Sequence, residues 1–148
     1  MAPSMEEIKP KRVIWKQLDV EATNGVKIVR AQKELGAIIY SFIVPDCLSD
    51  EDGNWQAGAI ATLIDSLGAG VNYLVTGILH TTVDLSISYL STVRTQEEVE
   101  IEAKVLGPRG KLFLVMVEIR KKEDGKVVAL ANQWLDAVKA SVTHLSKL

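Results

Sequence analysis

Residues 56–75 read Gln-Ala-Gly-Ala-Ile-Ala-Thr-Leu-Ile-Asp-Ser-Leu-Gly-Ala-Gly-Val-Asn-Tyr-Leu-Val, a run whose only charge is Asp65. Placed at the helical turn angle, Ile60, Ile64, Leu67 and Val71 form one stripe, and Gly58, Ala61, Asp65 and Ala69 form another on roughly the opposite side. Neither stripe suits water. The pattern predicts a long helix buried nearly all round, with a second backbone or a ligand coming close at the small-residue stripe. A bilayer span needs roughly twenty apolar residues. Asp65, Gln56, Asn72 and the glycines in this run argue against one.

An ionised carboxylate in such a setting is costly unless it is paired, hydrogen-bonded or used for chemistry. One reading makes Asp65 a structural acid that ties down a neighbouring loop. Nothing nearby on the helix neutralises it, and an apolar residue would pack more easily, which favours the chemical reading. The helix start, residues 52–58, reads Asp-Gly-Asn-Trp-Gln-Ala-Gly. Its first amides lack partners inside the helix and its dipole favours negative charge, so this end is a ready oxyanion site. The alternative is that Asn54 or Gln56 merely caps the helix.

With 148 residues, of which 47% are hydrophobic, the chain can bury the core of one domain. A net charge of −2 speaks against nucleic acid, which demands a clustered basic face, and allows a small anionic ligand held by local cations. The single cysteine, Cys47, excludes an internal disulfide and fits a reducing compartment. His80 and His144 are the only histidines, and neither has the spacing of a metal ligand.

Residues 1–11 read as a polar arm without a signal-peptide core, and 13–22 allow a short helix. Strand-like runs follow at 26–32 and 36–44, ended by Pro45 and an acidic loop over 46–53. Beyond the long helix, Val83, Leu85, Ile87 and Tyr89 alternate with polar residues, as do Val99, Ile101, Ala103 and Val105. Gly107-Pro108-Arg109-Gly110 is read as a turn into a central strand at 112–119, and Asp124-Gly125 as a hairpin into a last strand at 127–138. Two strands, a buried helix and four more strands make an α+β layout, an antiparallel sheet curled around the helix. The chain closes on Ser146-Lys147-Leu148. At a free carboxyl terminus that tripeptide is an address read by the peroxisomal import receptor, so a peroxisomal location is expected.

Gln-Ala-Gly-Ala-Ile-Ala-Thr-Leu-Ile-Asp, then Thr-Val-Asp-Leu-Ser-Ile-Ser-Tyr-Leu-Ser, then Gly-Lys opening the penultimate strand, resemble the hotdog-fold acyl-CoA thioesterases. The likeness is greatest to the acyl-CoA thioesterase 13-like, PaaI-type group, and runs over 26–138. It implies an arm at 1–24, a hotdog domain at 25–139 and a tail at 140–148. It also implies a homodimer with a continuous sheet, often paired into a homotetramer, and hydrolysis of acyl-CoA in lipid metabolism without metal or organic cofactor. By position, Asp65 matches the catalytic carboxylate, acting as base or nucleophile. Ala57, followed by Gly58, stands where relatives place the Gly whose amide polarises the thioester carbonyl, and Thr82 where a Ser or Thr positions water. Relatives carry His-Gly-Gly where this chain has Gln56-Ala57-Gly58, and their loop Asn falls on Asp50 or is supplied by Asn54.

Ala57 and Asp65 lie eight residues apart, about 12 Å of helix rise, too far for one carbonyl carbon to meet both. Two helices antiparallel across a twofold bring each Asp65 beside the partner's helix start. Arg94, Arg109 and Lys111 are candidate cations for the phosphates of CoA, and Leu67, Val71 and Leu74 candidates to line an acyl pocket. Competing readings are an acyl-CoA-binding protein without turnover and a thioesterase for aromatic, naphthoyl- or benzoyl-type substrates.

Overall fold

The computed structural model describes residues 20–137. One long helix, α1 (Ala57–Thr76), packs on a six-stranded antiparallel sheet. The strands are β1 (Lys27–Gln32), β2 (Ala37–Ile43), β3 (His80–Tyr89), β4 (Glu98–Arg109), β5 (Leu112–Lys121) and β6 (Val127–Ala137), in the order β1-β2-β4-β5-β6-β3. This is the hotdog fold. Residues 1–19 of the arm expected at 1–24, the last two residues of the domain expected at 25–139, and the tail expected at 140–148, with His144 and Ser146-Lys147-Leu148, lie outside the described residues. Of the short helix expected over 13–22, only 20–22 are described, and they are helical.

Helix α1 forms one residue later than the sequence pattern suggested and ends where Gly77 turns left-handed at φ 67°, its amide donating to Tyr73 O at 2.8 Å. Ile60, Leu63, Ile64, Leu67 and Val71 are buried on one stripe, against Phe42, Ile101, Val115, Val117, Ile119 and Leu135 of the sheet. Each such side chain contributes roughly 1.5–3 kcal/mol by leaving water. By length and composition α1 is able to cross a membrane, with a mean hydropathy of 1.3, but in this fold its apolar stripe is spent on the sheet.

Three expectations are corrected. The helix is not buried all round: Gly58, Asp65, Ser66, Gly70 and Tyr73 are exposed, because the sheet covers one side only. The turn between β4 and β5 is Gly110-Lys111, while Gly107, at φ 99°, sits at a bulge inside β4, so that Pro108 still pairs with Phe113. Val83 does not share the dry face with Leu85 and Ile87. A second bulge makes it the extra residue between Thr82, opposite Leu135, and Asp84, opposite Trp134, and leaves it 53% exposed.

Candidate functional site

That second bulge decides what faces Asp65. In β3 below it, the inward position passes from Val83 to Thr82, whose Oγ1 donates to Asp65 Oδ1 at 2.6 Å. Gln133, from the neighbouring strand β6, is fully buried, and its Nε2 donates to the same Oδ1 at 2.9 Å and to the Asp65 main-chain oxygen at 3.1 Å. Asp65 is thus tied to the sheet by neutral donors, and none of the ion pairs among the described residues involves it. The dry surroundings expected for Asp65 are not supplied by one chain, in which it is exposed. Gln133 was not singled out from the sequence. Its signal was a polar residue in phase with Ala129, Ala131 and Leu135, all of which are buried.

A second cluster forms at the start of α1. Gln56 is the N-cap residue, but no side chain caps the helix. The Gln56 side chain turns back to donate to Ser49 O at 2.8 Å, and its amide donates to Leu48 O at 2.9 Å. The capping reading of Asn54 and Gln56 is therefore overturned. Among the described residues, nothing accepts from the amides of Ala57 and Gly58, which lie at an exposed helix end. Asp50 has a structural duty: its Oδ1 accepts from the amides of Asp52 and Asn54, both at 2.9 Å. Asn54 sits one residue before Trp55 with its side-chain amide uncommitted to any described residue.

These residues border a cleft of about 180 Å³ between Asp50, Asn54, Trp55, Ala57, Ile60 and Tyr89. Tyr89, at the far end of β3, donates its hydroxyl to Ala57 O at 2.9 Å, and burial pushes its phenol above the ordinary value, which keeps it a neutral donor. Trp55 packs on Phe42 with ring centroids 5.5 Å apart, and its buried indole N–H has no partner among the described residues.

The other sequence candidates scatter. Arg94 pairs by backbone with Asn54 and so belongs to the helix-start cluster. Arg109 and Lys111 sit at the β4–β5 turn, where Arg109 Nη1 donates to Pro108 O at 3.0 Å. Leu67 and Val71 are core residues under the sheet, and Leu74 packs half-buried against that core. His80 is held by a 2.8 Å hydrogen bond between Nδ1 and Ile78 O, and Cys47 is an exposed free thiol. Among the described residues, no three His, Cys, Asp or Glu side chains are placed to hold a metal ion.

One open helix face thus carries a hydrogen-bonded carboxylate and, two turns away, a set of unpartnered amides. A family model described as the thioesterase superfamily matches residues 52–128, a span that contains Asn54, Gln56, Ala57, Asp65 and Thr82, and the chain belongs to that family. No curated protein matches the sequence. Among solved structures, thioesterase superfamily member 2 from Mus musculus superposes with a TM-score of 0.73 at 22% identity, covering 94% of this chain and 100% of that one. A hypothetical thioesterase from Streptococcus pneumoniae, solved with coenzyme A, gives 0.71 at 20% identity, with 83% and 95% covered. The Escherichia coli PaaI protein of the phenylacetic acid degradation operon gives 0.72 at 15% identity, with 93% and 97% covered. At these identities the likeness is one of fold.

Proposed function

We propose that this protein hydrolyses acyl-CoA thioesters, with Asp65 of one protomer and the Ala57 amide of another completing each site. The observation that carries the reading is the pairing, on one exposed helix face, of a carboxylate held by Thr82 with helix-start amides that no side chain caps. Asp65 takes a proton from water as the oxygen adds to the thioester carbonyl. The Ala57 N–H, aided by the helix dipole, stabilises the oxyanion. Collapse breaks the C–S bond, and the departing thiolate takes up the proton, leaving free acid and CoA. An oxyanion donor is worth about 3 kcal/mol of barrier and a positioned base about 10²–10⁴-fold. The Ala57 methyl in place of a hydrogen leaves the donor intact, because the donor is backbone.

Strand β3 supports the dimer. It is a sheet edge, paired only with β6, and exposes Val83 and Tyr89, with Leu90 exposed just beyond it and Tyr73 exposed on the helix. An apolar open edge of this kind is a template for another strand, and a second β3 placed there antiparallel would make one continuous sheet with the two helices side by side. The same contact would remove water from Asp65. Arg94, next to the helix start, is the cation best placed for a CoA phosphate, and aliphatic acyl groups are the expected substrates.

The test is thiol release from a panel of aliphatic and aromatic acyl-CoA thioesters by the wild type and by Asp65→Asn. Turnover in the wild type that is lost in the variant, with binding of a non-hydrolysable acyl-CoA kept, is the expected result. Tight acyl-CoA binding without turnover by the wild type overturns the enzymatic reading.

A further inference from the structure

We propose that Gln133 is a positioning residue of this site, holding Asp65 by one carboxylate oxygen so that the other is left for the reaction. Three acceptors converge on the two hydrogens of its Nε2, so that one hydrogen is shared: Thr82 Oγ1 at 2.8 Å, Asp65 Oδ1 at 2.9 Å and Asp65 O at 3.1 Å. Only the N–H₂ end of the amide can face them, since the oxygen end would meet the carboxylate and the main-chain carbonyl as a third acceptor. The amide orientation is therefore dictated by its neighbours.

The consequence passes to Thr82. Its oxygen accepts from Gln133, which directs its single proton at Asp65 Oδ1. Oδ1 thus receives two donors, one from each of two adjacent strands, while Oδ2 has no donor among the described residues. A carboxylate on an exposed helix face otherwise turns freely about its last side-chain bond. Two donors on one oxygen fix that rotation and leave Oδ2 as the basic oxygen.

Two features that weaken the fold are accounted for by this arrangement. Gln133 is fully buried, yet its Oε1 has no partner among the described residues, a cost that Leu or Met at this position would avoid. Gly68 lies three residues after Asp65, in the interior of α1, where glycine is a poor helix former. A methyl group at Gly68 would land on Gln133 Oε1, so the missing side chain is what gives the amide its room. Both costs fall where the hydrogen bonds to Asp65 are made.

This inference deepens the thioesterase reading and rests on Asp65 acting as its base. Four substitutions test it. Gln133→Met keeps the volume and removes the donors, and kcat is expected to fall about 10- to 100-fold with KM little changed. Gln133→Glu supplies a donor only when its carboxyl is protonated, so its kcat relative to wild type should rise as pH is lowered from about 8 to about 5. Gly68→Ala should lower kcat in the wild type and have no further effect in a Gln133→Ala background, where the methyl has space. A readout independent of turnover is ¹³C relaxation at the Asp65 carboxyl carbon, Cγ, whose shielding tensor turns with the carboxylate, expected to report a rigid group in the wild type and a mobile one in Gln133→Met. Unchanged relaxation and kcat in folded Gln133→Met overturn the proposal, as does a Gly68→Ala effect of equal size in both backgrounds. If the wild type hydrolyses no thioester, the thioesterase reading falls, and the Asp65 relaxation still decides whether Gln133 holds the carboxylate.

Discussion

Thr82 Oγ1 stands 2.6 Å from Asp65 Oδ1, and it does so because strand β3 carries one residue more than strand β6 between Thr82 and Asp84. Strict alternation would have turned Val83 toward the helix and Thr82 away from it. A hydrogen bond to a charged group is worth about 1.5–3 kcal/mol, or roughly a factor of 10 to 100 in an equilibrium or a rate. Thr82→Val should therefore lower kcat at least about 10-fold, while Thr82→Ser, which keeps the hydroxyl, should stay within a few-fold of wild type. Steady-state kinetics on the best acyl-CoA substrate of the pair is the check. Equal losses in both variants would assign Thr82 a packing role.

The Ala57 amide, the proposed oxyanion donor, can be removed by a substitution that suits the helix start. Gln56 is the N-cap residue, at φ −63° and ψ 136°, so Ala57 is the first residue of the helix. Proline is well suited to that position, because its fixed φ fits and the missing N–H was never bonded inside the helix. The extended backbone of Gln56 also suits a residue that precedes proline. Ala57→Pro is expected to fold with little change in Tm and to lose about 10²–10³-fold in kcat. Ala57→Gly, which keeps the amide, should retain wild-type turnover. A proline variant that remains fully active would move the oxyanion role to Gly58 or to Asn54.

The contrast between these two residues marks what the sequence can express. The helix carrying Ala57 and Asp65 was legible because twenty residues without a break and with one charge leave few alternatives, and the alternating runs of β4 and β6 located the sheet. The bulge at Val83 was not legible, since Val83-Asp84-Leu85-Ser86 alternates as cleanly as any regular strand and an extra residue leaves no mark on that pattern. Gln133 was visible as a polar residue in a dry phase, but its partners lie 68 and 51 positions away, and only the pairing of β3 with β6 brings them together. Burial of the small-residue stripe was expected from the helix alone. The single chain leaves Gly58 and Asp65 of that stripe exposed, since its one sheet covers one face of the helix.

Stability in acid should depend on a pair remote from the site. Glu98 Oε1 accepts from Ser41 Oγ at 2.8 Å and from Lys122 Nζ at 3.1 Å, and these contacts, Ser41 first, hold its carboxyl below the ordinary 4.5. A carboxyl depressed in the folded state stabilises the fold at pH above its unfolded value. That contribution is lost as pH falls through 4.5 toward the lower folded value. Ser41→Ala should thus be less stable than wild type at about pH 6, with the gap narrowing toward about pH 3. Urea midpoints of both proteins across that range measure it, and a gap independent of pH would mean that Ser41 acts through packing alone.

The most demanding prediction concerns the composite site. Asp65→Asn and Ala57→Pro each disable a different half, and in a homodimer of either variant both sites are dead. In a mixed dimer, the intact Ala57 amide of the first protomer faces the intact Asp65 of the second, while the other site combines both lesions. One working site is restored. Random exchange of equal amounts makes about half the dimers mixed, each with one site of two, so about a quarter of wild-type activity should return on mixing. The gain should follow the rate of subunit exchange and vanish when the protomers are crosslinked before mixing. If each site were built within one chain, the mixture would be as inactive as its components. Widening the edge contact tests the same geometry from the other side: Val83→Lys places a charge on the open strand β3, where Val83 is 53% exposed in the single chain, and should yield an inactive monomer by light scattering.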